Sequence, residues 1–426
     1  MQPEAGTPAP RRPVRLTTVG AAFAANKGAA SMLQAVIDKA SGHLGPCEID
    51  VLSAYPREDR AWASRAGVRM VPWPPVSMVL GYPLALLAFL ARRAGLPARP
   101  FCRMRALRAL HDADVVVDVS GISFADGRGF VTLVYNLLIT STSLLLGRPT
   151  VKASQALGSF RTRLNRLAAR AVLPHLAAVC ARGGGTERNL ADLGLDNVTP
   201  AADLAFLLDL PESARQRAAA VAGAAIGDDD LTVAVMPSQV VASYCARLGV
   251  DYPDLMAKTV DALVERRQAR VLLFPHAWRP STQPSRMNDR PLCAAVYERV
   301  TARDRVTLID ADLSPHDLRA LISLADLAVT SRFHGMVSAL CTGTPPVVVG
   351  WSHKYREVLE PFGMDEQALS YEALSVDSLV AAIERTLAET DKMRARIAEA
   401  LPAAQASSER SLERIAAALP PVPAGS

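Results

Sequence analysis

Arg332 and His334 stand two residues apart in the stretch 331–336, directly after the apolar run 324–329. An arginine offers a permanently charged fork that grips carboxylate or phosphate in a bidentate way. An imidazole moves protons near neutral pH. Together they suit an anionic substrate that undergoes group transfer. The run before them reads as a buried strand, and a helix-like segment ending at Gly343 follows. Residues 346–349 then read as the next buried strand. An open α/β sheet places its ligand at the carboxyl ends of its strands, where this pair sits.

Further candidates share that placement. Arg182 follows the apolar run 176–180 and precedes Gly183, Gly184 and Gly185, which let backbone N–H groups approach an anion. His276 follows 272–275 at another expected strand end. Asn26 and Lys27 open the first helix, where free N–H groups favour an anion or a sugar hydroxyl. Ser331 and Lys354 are substrate-binding candidates, Lys354 for phosphate or carboxylate. Gln155 either lines a cleft or bonds to backbone. Plainer roles stand beside these. Arg332 could pair with Asp326 or Asp310, Arg182 could belong to a loose glycine loop, and both histidines could be satisfied locally.

The elements that must hold these residues alternate regularly. Strands are expected at 16–20, 49–53, 114–119, 149–155 and 176–180, with helical segments between. After an alanine-rich stretch and 227–230 the rhythm restarts, with strands at 231–236, 270–274, 306–310, 327–330 and 346–349. Strands alternating with helices imply parallel sheets covered on both faces. The fold class is therefore α/β, with two Rossmann-type domains facing across a GT-B-like cleft and helices at the C-terminus. The expected division is a disordered leader 1–13, a first domain 14–210 and a hinge 211–230. A second domain 231–370, helices 371–419 and a loose tail 420–426 follow.

At 426 residues, half of them apolar, the chain has ample material for two cores. The net charge is +5, which suits anionic small molecules or an anionic membrane face. No basic run is interleaved with aromatics, so nucleic acid is not an expected partner. The six cysteines are isolated, and no His/Cys cluster has metal-ligand spacing, so neither a metal nor a cofactor is expected. Isolated cysteines and the lack of a signal peptide point to the cytoplasm. The apolar run 76–91 contains Gly81 and Pro83 and falls short of the about 20 residues a bilayer span needs. It reads as a buried or surface helix, with peripheral contact at the inner membrane face as the alternative. Residues 133–146 read as a buried helix.

Several blocks in order resemble the polysaccharide pyruvyl transferase family. Residues 26–30 are similar to its N-x-G-x-x motif, and 114–126 to its D-x-V-I-x-x-G-G-G segment, with Ser120 where glycine is commoner. The block 147–160 resembles G-K-P-x-x-x-x-x-Q-x-x-G-P-F, with Ser159 in place of proline. Arg182, Thr186, Leu190 and Gly194 follow the next pattern, although Gly183 replaces the acidic residue expected there. Asp203 and Phe206 match D-x-x-F. Arg332, His334, Gly343 and Pro345 carry the most specific block, and 351–355 resembles the Y-S-x-K-[FY] ending. The resemblance covers about 15–365.

It implies transfer of an enolpyruvyl-derived unit from phosphoenolpyruvate to two hydroxyls of a sugar, glycan or lipid-linked sugar, giving a pyruvate ketal. Arg182 and Arg332 would clamp the donor's two anionic groups, and His334 would transfer protons. The alternatives are a nucleotide-sugar glycosyltransferase, for which Glu357 and Glu360 are ribose-binding candidates, and a non-catalytic relative that binds an anion.

Overall fold

The computed structural model describes residues 12–223 and 230–421. Most of the expected leader and tail, and 224–229 of the expected hinge, lie outside the described residues. Two parallel sheets organise the rest. In spatial order the first runs Arg69–Pro72, Cys47–Ser53, Val14–Val19, Val115–Asp118, Thr150–Leu157, Ala178–Arg182 and Val198–Ala201, with the short Ile122–Ser123 pairing beside Thr150–Leu157. The chain starts mid-sheet, works out to one edge, then returns to the other side of its first strand, so that Leu16 lies between Ile49 and Val115. The second sheet repeats this winding as Val306–Leu308, Arg270–Leu273, Thr232–Met236, Leu327–Thr330, Pro346–Gly350 and Ala368–Ser370. Its order reverses between Thr232–Met236 and Leu327–Thr330. Helices cover both faces of each sheet. The central strands are therefore buried throughout; three of them carry near-continuous Val, Ala and Leu, whereas Thr150–Leu157 also buries Lys152, Ser154 and Gln155.

Each reversal opens a crevice beyond the carboxyl ends of the strands, and the two crevices meet. The antiparallel pair of Ala25–Asn26 with Ala277–Trp278 joins the domains. His316 Nε2 lies 2.8 Å from Asp38 Oδ2 across the same junction. One apolar cluster also spans it, packing Leu33 and Val36 of the helix Lys27–Leu44 with Met336 and Leu340 of the helix Phe333–Thr342.

Two expected boundaries move. The helix Glu212–Ala222 buries Ala214, Ala218 and Ala222, four apart on one face, against Leu318 and Leu321. It belongs to the second domain and is not a linker. The C-terminal helices separate. Val376–Ala388 buries Leu379 and Ile383 in the second domain. Thr390–Ala417 crosses back and packs Met393, Ile397 and Leu412 against Phe206 and Cys180 of the first. Apart from the two-residue strands Ala25–Asn26, Ile122–Ser123 and Ala277–Trp278, three strands escaped expectation, Arg69–Pro72, Val198–Ala201 and Ala368–Ser370. All are short and lie at sheet edges, and two contain proline, which an edge tolerates.

The run 76–91 forms the helix Pro75–Arg93. By length and composition it could cross a membrane. Met78, Gly81, Ala85, Ala88 and Ala91 instead bury one face of it in the first domain, beside Leu107 and Ile139.

Candidate active site

A cavity of about 900 Å³ opens between the domains. Its wall takes Gly20, Ala24, Asn26 and Gly28 from the first strand's exit and Ser120, Gly121, Ile122, Asp126 and Arg128 from the neighbouring strand's exit. From the second domain come Tyr244, His276, Arg286, Arg332, His334 and Lys354. The helices Lys27–Leu44 and Phe333–Thr342 both begin here, so two helix N-termini add partial positive charge. Side-chain charge is also lopsided. Arg128, Arg182, Arg286, Arg332 and Lys354 line the cavity with the single carboxylate Asp126. Asp126 is already taken up by the Arg161 N–H and the Thr162 hydroxyl, each at 2.6 Å.

Both expected clamps are braced from behind by buried carboxylates. Arg332 donates through Nε to Asp289 Oδ2 at 2.7 Å and through Nη2 to Asp289 Oδ1, so the pair is bidentate. Asp289, not Asp326 or Asp310, is its partner. Arg182 Nη1 pairs with Asp203, its Nη2 donates to the Gly121 carbonyl at 2.8 Å, and its plane lies over the Phe333 ring. Burial opposes ionisation of Asp203, yet Arg182 and His334 beside it hold its carboxyl well below the usual range.

His334 sits where the domains come closest. Its Nε2 is shielded from solvent 3.5 Å from Asp203 Oδ2, a separation for charge attraction and not for a hydrogen bond. Its Nδ1 lies against Gly28, where a Cβ would come within 2.1 Å. Gly28 is therefore needed for close approach, which explains why the first block must offer a glycine here. Gly183 has a related role. A Cβ there would meet Glu357 Oε2 at 2.7 Å, so the Glu357 carboxylate fills the space that the family's acidic side chain would enter.

His276 is fully buried. Burial, with the charges of His334 and Arg332, pushes its pKa down to about 3. It is neutral at physiological pH and serves as a hydrogen-bonding imidazole. Because the unfolded chain takes up this proton near pH 6.5 and the folded chain does not, stability is lost as pH falls from 6.5 towards 3. Urea unfolding at pH 6.5 and 4.5 should show a loss on the order of 1 kcal/mol per pH unit that His276→Asn largely removes. An unchanged slope in the variant would assign the acid sensitivity elsewhere.

Burial, with Arg182 and Arg128 nearby, lowers the Lys354 pKa to about 8. Asn26 uses its carbonyl oxygen to cap its helix, accepting from the Gly28 N–H at 3.1 Å, and still lines the cavity.

Three expected contacts lie off the wall. Lys27 is 1% exposed, pairs with Asp312 and lies over the Trp62 ring, so it serves the domain junction. Gln155 is buried, donating to the Asp118 carbonyl and accepting from the Ser123 hydroxyl, both at 2.6 Å, beside the Lys152–Asp118 ion pair. The Ser331 hydroxyl is bonded to Tyr252 Oη at 2.6 Å, inside the second domain. Conversely, Arg128, Arg286 and Trp73 line the cavity without having been singled out. The Trp73 Nε1 is buried with no partner among the described residues. Arg128 and Arg286 stand in polar loops with no periodic pattern, so nothing in the sequence separates them from surface arginines.

A model of the polysaccharide pyruvyl transferase family matches residues 26–353, more than three-quarters of the chain. The chain belongs to that family. The matched span contains Asn26, Arg182, His276, Arg332 and His334, and stops just before Lys354. The chain is also similar to the amylovoran biosynthesis protein AmsJ of Erwinia amylovora, 24% identical over 68% of this chain and 70% of that one. Family and relative together support a pyruvyl-transfer role in polysaccharide synthesis.

Among solved structures, UDP-GlcNAc 2-epimerase of Neisseria meningitidis superposes with a TM-score of 0.60 at 10% identity, covering 93% of this chain and 98% of that one. HepE of Anabaena, in complex with UDP-glucose, gives 0.53 at 13% identity, covering 94% and 98%. At such identities the likeness is one of fold alone: two Rossmann-like domains in the GT-B arrangement.

Proposed function

We propose that this transferase uses phosphoenolpyruvate as donor and joins its three-carbon unit to two hydroxyls of a sugar as a ketal. The observation that carries this is the cluster of five cations around His334 in one interdomain cavity. A donor with both a carboxylate and a phosphate needs two separate cationic contacts, and Arg182 and Arg332 approach the cavity from different domains. Lys354 adds a further cation to the same wall.

In the reaction, C3 of the donor gains a proton, two sugar oxygens bond to C2, and the C2–O bond to phosphate breaks. Two hydroxyl protons are released. One balances the proton gained at C3, and the other leaves with phosphate. His334 is the proton carrier, with the Asp203 carboxylate 3.5 Å from its Nε2. His276, being neutral, can only donate or accept a hydrogen bond. Fixed positive charge around the departing phosphate favours bond breaking. Tyr55, Trp73 and Tyr135 form the first-domain wall, and the unpartnered Trp73 Nε1 offers the acceptor a donor.

Calorimetric titration with phosphoenolpyruvate beside UDP, GDP and CMP tests this. Phosphoenolpyruvate alone should bind. Its affinity should fall above pH 8, by up to about tenfold per pH unit, because the free protein loses the Lys354 proton that a bound anion would retain. Lys354→Arg should abolish that fall. Binding of a nucleotide alone would favour nucleotide-sugar glycosyl transfer instead.

A further inference from the structure

Large apolar side chains are exposed on one face of this protein out of proportion to the rest. Among the described residues, eleven of the thirteen lie on the helices Pro75–Arg93, Phe130–Leu145 and Arg163–Val172 or directly after the first of them. On Pro75–Arg93, Val76, Val79, Leu80, Leu86, Leu87 and Leu90 recur every three or four residues, which makes one continuous outward stripe. Val79 and Leu80 are 58% and 64% exposed, although the opposite side of the same helix is buried. The three helices pack side by side in the order given. Phe130 and Val131 of the second, and Leu164 and Leu167 of the third, extend the patch. A contiguous apolar surface of this kind on an otherwise well-packed domain marks a binding face.

The charge along these segments is predominantly positive. Residues 60–111 hold nine arginines and no Asp or Glu, and 127–186 hold seven arginines, Lys152 and again no acid. Arg92 and Arg93 end the first helix, and Arg163, Arg166 and Arg170 stud the third. A second copy of the chain seated on this face about a twofold axis would set arginine against arginine. An anionic bilayer complements it: the interface accepts an apolar stripe while guanidinium forks reach lipid phosphates.

The patch also runs to the lip of the cavity. Pro75, Met78 and Thr132 line the cavity, and their neighbours Val76, Val79 and Val131 point outwards.

We propose that this face seats the protein on an anionic membrane surface with the cavity mouth turned to the headgroups. An acceptor sugar carried on a lipid would then meet Trp73 and Tyr135 without leaving the bilayer. That last step rests on the proposed sugar acceptor, whereas the docking itself does not.

Flotation with vesicles tests it. The protein should float with vesicles of phosphatidylcholine mixed with phosphatidylglycerol, progressively less as salt rises, and not with phosphatidylcholine alone. Leu80→Asp with Leu87→Asp should weaken binding by roughly tenfold or more. Arg99→Glu with Arg163→Glu should do the same. Both double variants should keep the wild-type melting temperature and phosphoenolpyruvate titration, since none of these side chains lines the cavity.

Wild-type protein that stays behind, or a leucine variant that floats like wild type, would overturn the proposal. Equal flotation with phosphatidylcholine alone would overturn its anionic part. A lipid-free dimer that the leucine changes split, with no flotation, would assign the face to self-association. Flotation reads the face and titration reads the cavity, so either can fail without the other.

Discussion

Arg332→Ala is expected to abolish measurable donor binding and to cost about 3–5 kcal/mol of stability at the same time. The sequence alone suggests that the variant keeps its fold and loses only donor binding. The structure shows Asp289, 0% exposed, held by both of its oxygens on the Nε–Nη2 edge of the Arg332 guanidinium. Its Oδ1 also accepts from the Gln239 N–H at 2.8 Å, a bond that cannot neutralise a stranded carboxylate. Removing the arginine therefore leaves an uncompensated buried charge. Two effects must be separated, and Arg332→Ala combined with Asp289→Ala does so. The double variant should recover most of the lost stability in urea unfolding, because neither charge remains. Calorimetry should still find phosphoenolpyruvate binding lost. Wild-type affinity in the refolded double variant would sink the clamp assignment, however badly the single variant behaves.

His334→Ala should slow turnover by about 10²–10⁴ and leave donor affinity within a few-fold of wild type. Its nearest charged neighbour, Asp203, keeps Arg182 as partner, so the truncation strands no charge. This contrast with Arg332 is itself diagnostic. The histidine variant should melt near the wild-type temperature and bind phosphoenolpyruvate, failing only in phosphate release. Its pH–rate profile should lose the limb that reports the imidazole. Near-normal turnover would remove His334 from the mechanism and direct attention to Lys354, whose pKa is lowered to about 8.

The largest errors in anticipating the site share one physical origin. Lys27, Gln155 and Ser331 stand at strand ends or helix starts, as Asn26, His276 and Arg332 do, and sequence position cannot tell which way a side chain leaves the backbone. Lys27 turns into the domain junction because Asp312 and the Trp62 ring, 285 and 35 residues away, are there to receive it. Gln155 turns into the core because Asp118 and Ser123 meet it there. The stretch Glu212–Ala222 of the expected hinge misled similarly. Alanine every fourth residue reads as linker-like composition until Leu318 and Leu321 supply the surface that buries it.

By itself the sequence determined the fold class, the alternation of strands and helices in both domains, and the family. Short Val-rich runs of four to six residues bounded by turn residues read as strands buried on both faces, and glycines, arginine and histidine at strand exits mark where a parallel sheet opens. It also fixed Arg182, Arg332 and His334 as residues of chemical interest. Only the tertiary structure decided what each side chain faces. Long-range pairing braces Arg332 with Asp289 and Arg182 with Asp203, and domain closure presses His334 against Gly28. Burial makes His276 neutral, and the side-by-side packing of three helices turns scattered leucines and arginines into a single face. These depend on contacts between residues far apart in the chain, which local composition and spacing do not encode.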